Sequence, residues 1–333
     1  MNSDIHFGPV VYEHAATFMD ESPYTVSRSA ALLAEAHARA YEFYRHSPIA
    51  VGIDVYNIEA EAYGARVPDP GGRDIPSVAA PIADSAAALS SLPDWDIETG
   101  SRFGLAFQAA AELRRRFPEA DIRIPLGGPF SIASNLLGFD NLLCECLTDA
   151  RLVRDALLML ADKQVAVATA VAARGFGIAF FESAAAPPLL SPQLFRQVEL
   201  PALQRFCEGA RRALGRDPAI IMGGDTLPVL DDLLSLSPGF LICPGETDQN
   251  GFMTAMRARP DIAVRLNMQV AVLVNGSLAQ VKAEVDRTVA IARRTAVPGR
   301  AVLVGTGVLP IEADPALIRR IGAYIMLQQP LEG

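Results

Sequence analysis

Six short apolar runs in this 333-residue chain end on side chains that can bind ligands or move protons. They are Ile122–Gly128, Gly177–Ser183, Ala219–Asp225, Phe240–Glu246, Ala263–Gln269 and Ala301–Thr306. Glu182 closes the run Ile178-Ala179-Phe180-Phe181, where a carboxylate is costly unless it is paired, protonated, hydrogen-bonded or bound to metal. It is therefore expected to face a cleft and to be required for activity rather than for folding. Asp225 ends the next run beside Gly223-Gly224 and is a second acid–base candidate, or else caps the following helix together with Thr226. Cys243, ahead of Pro244-Gly245-Glu246, reads as a thiolate ligand, a nucleophile or a small inert core residue. Asn267, Gln269 and Thr306 end the last two runs. A further strand-like run, Ile49–Val55, leads into Asp54, Tyr56 and Asn57.

All four histidines, His6, His14, His37 and His46, precede these runs. Acid–base work is left to Asp54, Glu59, Glu61, Glu182, Asp225, Glu246 and Asp248, unless the N-terminal segment brings His14 across the mouth of the site.

Continuous apolar runs suit parallel strands buried on both faces. Helical patterns follow them over Arg102–Phe117, Ser131–Gly138, Asp149–Arg174, Pro192–Leu214, Leu227–Leu236, Ser277–Arg294 and Pro315–Met326. Such alternation, with polar residues gathered at strand C-termini, predicts an α/β fold: a distorted (β/α)8 TIM-type barrel whose cleft lies at those ends. Seven strands are visible, and the eighth is expected in residues 5–12 or 65–80. Residues 1–48 read as an N-terminal helical extension and 49–330 as the barrel, together one domain. A doubly wound sheet is the rival, but no G-x-G-x-x-G follows a strand.

A net charge of −9 argues against a nucleic-acid partner, whose phosphates need a basic face. No continuous apolar stretch reaches the ~20 residues of a membrane span. The N-terminus shows no secretory pattern, and the four cysteines form no CxxC pair. A cytoplasmic enzyme acting on a small molecule is the expectation.

Several segments, in order, resemble the uroporphyrinogen decarboxylase superfamily, which includes the decarboxylase and the cobalamin-dependent methyltransferases. Ile58–Gly64, I-E-A-E-A-Y-G, is similar to the methyltransferases' V-E-A-E-A-L-G. Gly128-Pro129-Phe130-Ser131 with Leu136-Leu137-Gly138 resembles the G-P-F-T…L-x-G turn and helix of both branches. Phe181-Glu182-Ser183 and Leu190-Ser191-Pro192…Phe195 resemble the acid-Ser strand end and S-P-x-x-F helix start, and Asn267 falls where the family has Gly-Asn. The resemblance runs from about residue 30 to 328. It implies catalysis by Glu182, Asp225 and Asp54, with substrate contacts from Tyr56, Asn57, Phe130, Asn135, Ser183, Met222, Glu246, Asn267, Gln269 and Thr306.

The departures bear on chemistry. The methyltransferases' zinc-binding H-x-C-G-[ND]-T segment aligns with Ile221-Met222-Gly223-Gly224-Asp225-Thr226, and their late cysteine ligand with Thr306, so the usual zinc site is not expected. Glu182 and Cys243, with Asp225 or Glu246, form an alternative candidate metal set. The decarboxylase's N-terminal arginines have no counterpart before Asp54; Arg123 and Arg265 lie within strands and could face inward. The implied function is a methyltransferase or demethylase of the corrinoid-linked group. A corrinoid or folate methyl carrier is then its cofactor, and a corrinoid protein a partner. The alternatives are a carboxy-lyase on a tetrapyrrole or other carboxylated substrate, and a non-catalytic binding protein on the same barrel.

Overall fold

The computed structural model describes residues 5–331 apart from 299, 301 and 328. Eight parallel strands form one sheet: β1 His6–Val10, β2 Ile49–Ala50, β3 Ile122–Gly127, β4 Gly177–Glu182, β5 Ala219–Met222, β6 Phe240–Cys243, β7 Ala263–Asn267 and β8 Val302–Val308. The ladder runs β1-β8-β7-β6-β5-β4-β3-β2 and curls into a TIM-type barrel within its helices. The eighth strand is β1, the first of the two proposed locations. It lies inside the segment expected to be a helical extension and pairs with β8 from His6↔Leu303 onward. The rest of that segment is helical: a 3-10 turn, Glu13–Phe18, then helices Pro23–Ser27 and Ala30–Tyr44. Ser29 caps the last of these by accepting from Leu32 N at 3.4 Å.

The expected helices form within a residue or two of their predicted ends, with two exceptions: Leu227–Leu236 opens with a 3-10 turn, Leu227–Val229, before helix Leu230–Ser235. Pro192–Leu214 divides into Pro192–Leu194, a π-turn at Phe195–Glu199, and Leu200–Leu214. The Pro/Gly-rich tract after Gly64 forms no strand. Helix Ala150–Ala173 is long and apolar enough, by length and composition, to cross a bilayer. In the fold its buried Val153, Leu157, Leu160, Val167 and Val171 belong to the main core.

Side-chain alternation along the strands separates the barrel interior from the helix-packed exterior. On β4, Ala179 and Phe181 join Tyr12 and Ala50 inside. Phe180 turns outward and stacks on Phe206 at 4.0 Å between ring centroids. A charged side chain also lies in the interior: Arg265 from β7, only 8% exposed. Glycines opposite make room for it. A Cβ on Gly305 would come within 2.5 Å of Arg265 Cδ and 2.9 Å of the Gly8 carbonyl oxygen. Because that second neighbour is backbone, Gly305→Ala should destabilise the fold by about 1–3 kcal/mol, read as a lower urea midpoint; an unchanged midpoint would refute this packing.

His37 and His46 are buried on the barrel's outer side. His37 Nε2 hydrogen-bonds the Gly52 backbone at 3.0 Å, while His46 sits against the rings of Tyr41 and Tyr44. Burial lowers His37 to about 4 and His46 to about 3. Both are neutral when folded, whereas in the unfolded chain they protonate near 6.5. The stability they contribute is present above pH 6.5 and is lost as pH falls towards 4 and 3. Glu13, raised to about 7 by burial and by Glu312, works in the opposite direction. Comparison with a variant isolates one histidine: His46→Phe should shrink the stability difference between pH 7.5 and pH 5 by about 2 kcal/mol.

Candidate functional site

At the C-terminal ends of the strands lies a cleft of about 140 Å³. Its walls are apolar, with Phe181, Ile221, Ile242 and Val308 from the barrel interior and Val270 beyond β7. Three of the predicted site residues line it: Ser183, Glu246 and Asn267. Tyr56, a fourth, joins them by a 2.7 Å hydrogen bond between its hydroxyl and that of Ser183. Tyr56 sits at φ 71°, ψ −32°, a conformation costly for an aromatic residue and retained only where the surroundings enforce it. Burial, with Glu182 nearby, pushes its hydroxyl well above the usual tyrosine range, so it is a neutral donor at physiological pH. Arg265 reaches the floor of the cleft, where its Nε donates to Asn267 Oδ1 at 3.0 Å. That bond fixes the carboxamide orientation and leaves the Asn267 amide nitrogen as a donor.

Of the strand-end acids, Glu246 is the one on the cleft lining, and it is exposed. Glu182 is fully buried and follows inward-facing Phe181, so its side chain turns outward. There it accepts from the hydroxyl of Ser131 and from Phe130 N (3.1 Å), Ser131 N (3.4 Å) and Ala184 N (3.3 Å). It thus satisfies the exposed N–H groups of helix Pro129–Leu137, an interaction the helix dipole favours. Gly128 is required beside it, since a Cβ there would lie 2.1 Å from Glu182 Oε2. Burial raises the Glu182 carboxyl, against the lowering effect of these donors, and neighbouring Glu199 is raised further by burial and by Glu182.

Asp54 is not on the cleft lining either. Both its oxygens accept from Arg102, at 2.8 and 2.7 Å, and Arg102 Nε donates to Glu61 at 2.6 Å. Glu59 clips the end of β3, its Oε1 accepting from Gly127 N at 2.7 Å and Gln164 Nε2 at 2.8 Å. Asp225 is a turn residue whose Oδ1 accepts from Leu227 N at 3.3 Å. Asn57 donates to the Pro76 carbonyl at 2.6 Å, and Asn135 to Asn57 Oδ1 at 3.4 Å. Phe130 and Met222 belong to the outer core, and Gln269 is exposed just after β7. His14 does not cross the mouth: its ring is held by the Pro310 carbonyl at 2.9 Å and the Tyr44 hydroxyl at 2.8 Å. Cys146 and Cys207 are buried as expected, whereas Cys144 is exposed rather than in the core.

The residues do not fit the superfamily's zinc. Ile221 and Gly223 carry no donor side chain. Thr306 Oγ1 is already engaged, accepting from Val10 N at 3.1 Å and donating to the Gly307 carbonyl at 2.8 Å. The alternative set fails as well. Cys243 is buried next to inward-facing Ile242 with its thiol pushed up by burial, and Glu182 is bound to its helix. Among the described residues no three His, Cys, Asp or Glu side chains are grouped to hold a metal.

The family model described as uroporphyrinogen decarboxylase (URO-D) matches residues 6–320. The chain belongs to the uroporphyrinogen decarboxylase family. The match begins at the first residue of β1, so in this family member the barrel opens with that strand. A methyltransferase from Methanosarcina mazei has a similar structure, with a TM-score of 0.75 at 16% identity over 98% of this chain and 94% of that one. Comparison with curated proteins finds no match. Arg265 was noted from the sequence only as a residue that could face inward. The signal for its place was a charged residue two positions before a strand-end Asn, hence on the same strand face.

Proposed function

We propose that this family member is a methyltransferase or demethylase acting on a small substrate in the cleft, with a corrinoid as the methyl-exchanging partner. The observation that carries the reading is the size of the cleft, about 140 Å³. Sites for drug-sized ligands take about 300–1,000 Å³, so neither a tetrapyrrole nor a corrin ring enters the cleft; a small methyl-bearing molecule suits the space, its methyl presented to a corrinoid docked at the mouth. The methyltransferase-like segment Ile58–Gly64 and the methyltransferase with a similar structure lend support. A reduced corrinoid would supply a nucleophile able to accept a methyl group.

In this reading the substrate heteroatom is activated by proton transfer. Glu246 serves as the group that passes a proton to the heteroatom as the C–heteroatom bond breaks; the bonding pair stays on the heteroatom and the methyl passes to the acceptor. Tyr56 with Ser183, and the Asn267 amide, orient the polar end against the apolar wall. A carboxy-lyase acting on a small carboxylated substrate is the second reading, favoured by Arg265 at the cleft floor.

The test offers the protein a panel of methylated thiols, amines and aromatic ethers with reduced free cobalamin, following cobalamin methylation by its visible spectrum. A parallel panel of carboxylic acids is followed for carbon dioxide release. Methylation that falls roughly 10²-fold in Glu246→Gln, with unchanged thermal stability, is the expected result. Carbon dioxide release without methylation would overturn the first reading in favour of the second.

A further inference from the structure

The opposite, N-terminal end of the barrel holds a larger cavity, about 320 Å³. That face of such barrels ordinarily serves stability, and buried charge there should be paired. Three arginines line the cavity: Arg123 from β3, Arg216 from the turn before β5, and Arg265. The head of Arg265 points to this end, its Cζ 5.7 Å from the ring centroid of Phe240 at the start of β6. Its hydrogen bond goes to Asn267, and among the described residues no carboxylate pairs with it. Arg216 has no ion pair among the described residues either. Arg216 Nη2 and Arg123 Cγ lie 2.6 and 3.1 Å from the point a Cβ on Gly177 would occupy, so the two side chains cross over one glycine. Two acids share the lining. Asp121 is bound to Arg123 Nε and Nη2 at 2.9 and 2.5 Å, and Asp217 to Arg211 Nε, outside the lining, at 2.6 Å. Burial first, then the Arg123 charge, lowers Arg265 to about 10, which leaves it cationic at neutral pH.

The geometry points to a binding site for a small multivalent oxyanion, a phosphate-type group, held by Arg265, Arg216 and Arg123 at the N-terminal mouth of the barrel. Two guanidinium charges lack a protein counter-charge, and one of them is more than nine-tenths buried. A dianion matches that deficit, and planar guanidinium forks bind phosphate through paired N–H donors. The volume leaves room for a phosphate with a small body attached. This site opens at the other end of the barrel from the cleft, with Arg265 common to both linings, and does not depend on the chemistry proposed in the cleft.

The experiment titrates the protein with inorganic phosphate at constant ionic strength, with sodium chloride as the control, by calorimetry and thermal unfolding. Glycerol phosphate is then titrated in the same way. The expected result is saturable binding with a rise in Tm that chloride does not give. Arg216→Ala, at an exposed position, should fold normally and weaken binding roughly tenfold or more, and Arg123→Gln should weaken it too. Tighter binding of glycerol phosphate would identify the ligand as a phosphorylated small molecule, and equal binding as the free ion. Absence of saturable binding, or binding undiminished in both variants, would overturn the proposal.

Discussion

Arg102→Leu should lower stability by about 3–5 kcal/mol, the scale for breaking a buried ion pair from one side. The Asp54 side chain is 1% exposed and that of Arg102 is 9% exposed. Removing the guanidinium leaves a buried carboxylate with only the 3.4 Å bond from Asn57 Nδ2, and releases Glu61 from its 2.6 Å bond as well. Asp54→Leu alone should cost nearly as much, because it strands the cation. The double variant should be more stable than the sum of the two losses implies, by 1 kcal/mol or more. Denaturant unfolding of all four proteins closes this cycle, and simple additivity would contradict the pairing. The same geometry gives Asp54 a structural task, so the folded fraction of a conservative Asp54→Asn variant should keep its turnover.

The second large effect is expected at Glu182. Glu182→Ala removes the acceptor from four donors within the wall: Ser131 Oγ and the N–H groups of Phe130, Ser131 and Ala184. Each buried donor left unmade costs about 1–3 kcal/mol, softened where the helix end can relax. A total loss of about 3–5 kcal/mol follows. Glu182→Gln should cost less, since its carboxamide oxygen keeps one set of donors. Activity in these variants should track the folded fraction. A stable Glu182→Ala protein without turnover would instead restore the role in chemistry expected from the sequence.

Why the sequence pointed elsewhere for Glu182 is a matter of parity. A carboxylate at the end of an apolar strand has to be compensated on whichever face it lies, and the apolar run itself does not reveal the face. Phe181 fills the barrel interior, so Glu182 points to the helices and Ser183 returns to the cleft. The same one-residue parity puts Ile242 in the cleft and Cys243 in the wall, as Ile221 lies inside and Met222 outside. Strand positions and most helix boundaries were legible because they rest on apolar periodicity; in the structure a capping box of Ser277 with Gln280 fixes the start of helix Leu278–Arg294. The cleft's location followed from strand polarity, which is why Ser183, Glu246 and Asn267 do meet. β1 was only one of two locations offered for the missing strand, because His6-Phe7-Gly8-Pro9-Val10 is short and interrupted by glycine and proline. Ile49–Val55 shortened to a two-residue ladder, although Val51 N still reaches the Arg123 carbonyl at 2.9 Å.

The neighbour of β1 in the sheet also bears on how the chain is made. β1 emerges from the ribosome before the other seven strands, yet its partner β8 is the last of the eight to be made, with His6 opposite Leu303 and Gly8 opposite Gly305. Until β8 arrives, the edge of β1 has no strand to bind, and the loop to be closed is almost the whole chain. Its entropic cost grows only slowly with length, but contacts so distant in sequence form late and slow the search. The 3-10 turn and helices that follow β1 can dock on the growing barrel earlier, holding the strand near its slot without pairing it. The nascent protein therefore passes through a stage with seven strands at most and an open β8 side, the stage at which it is most exposed to misassembly.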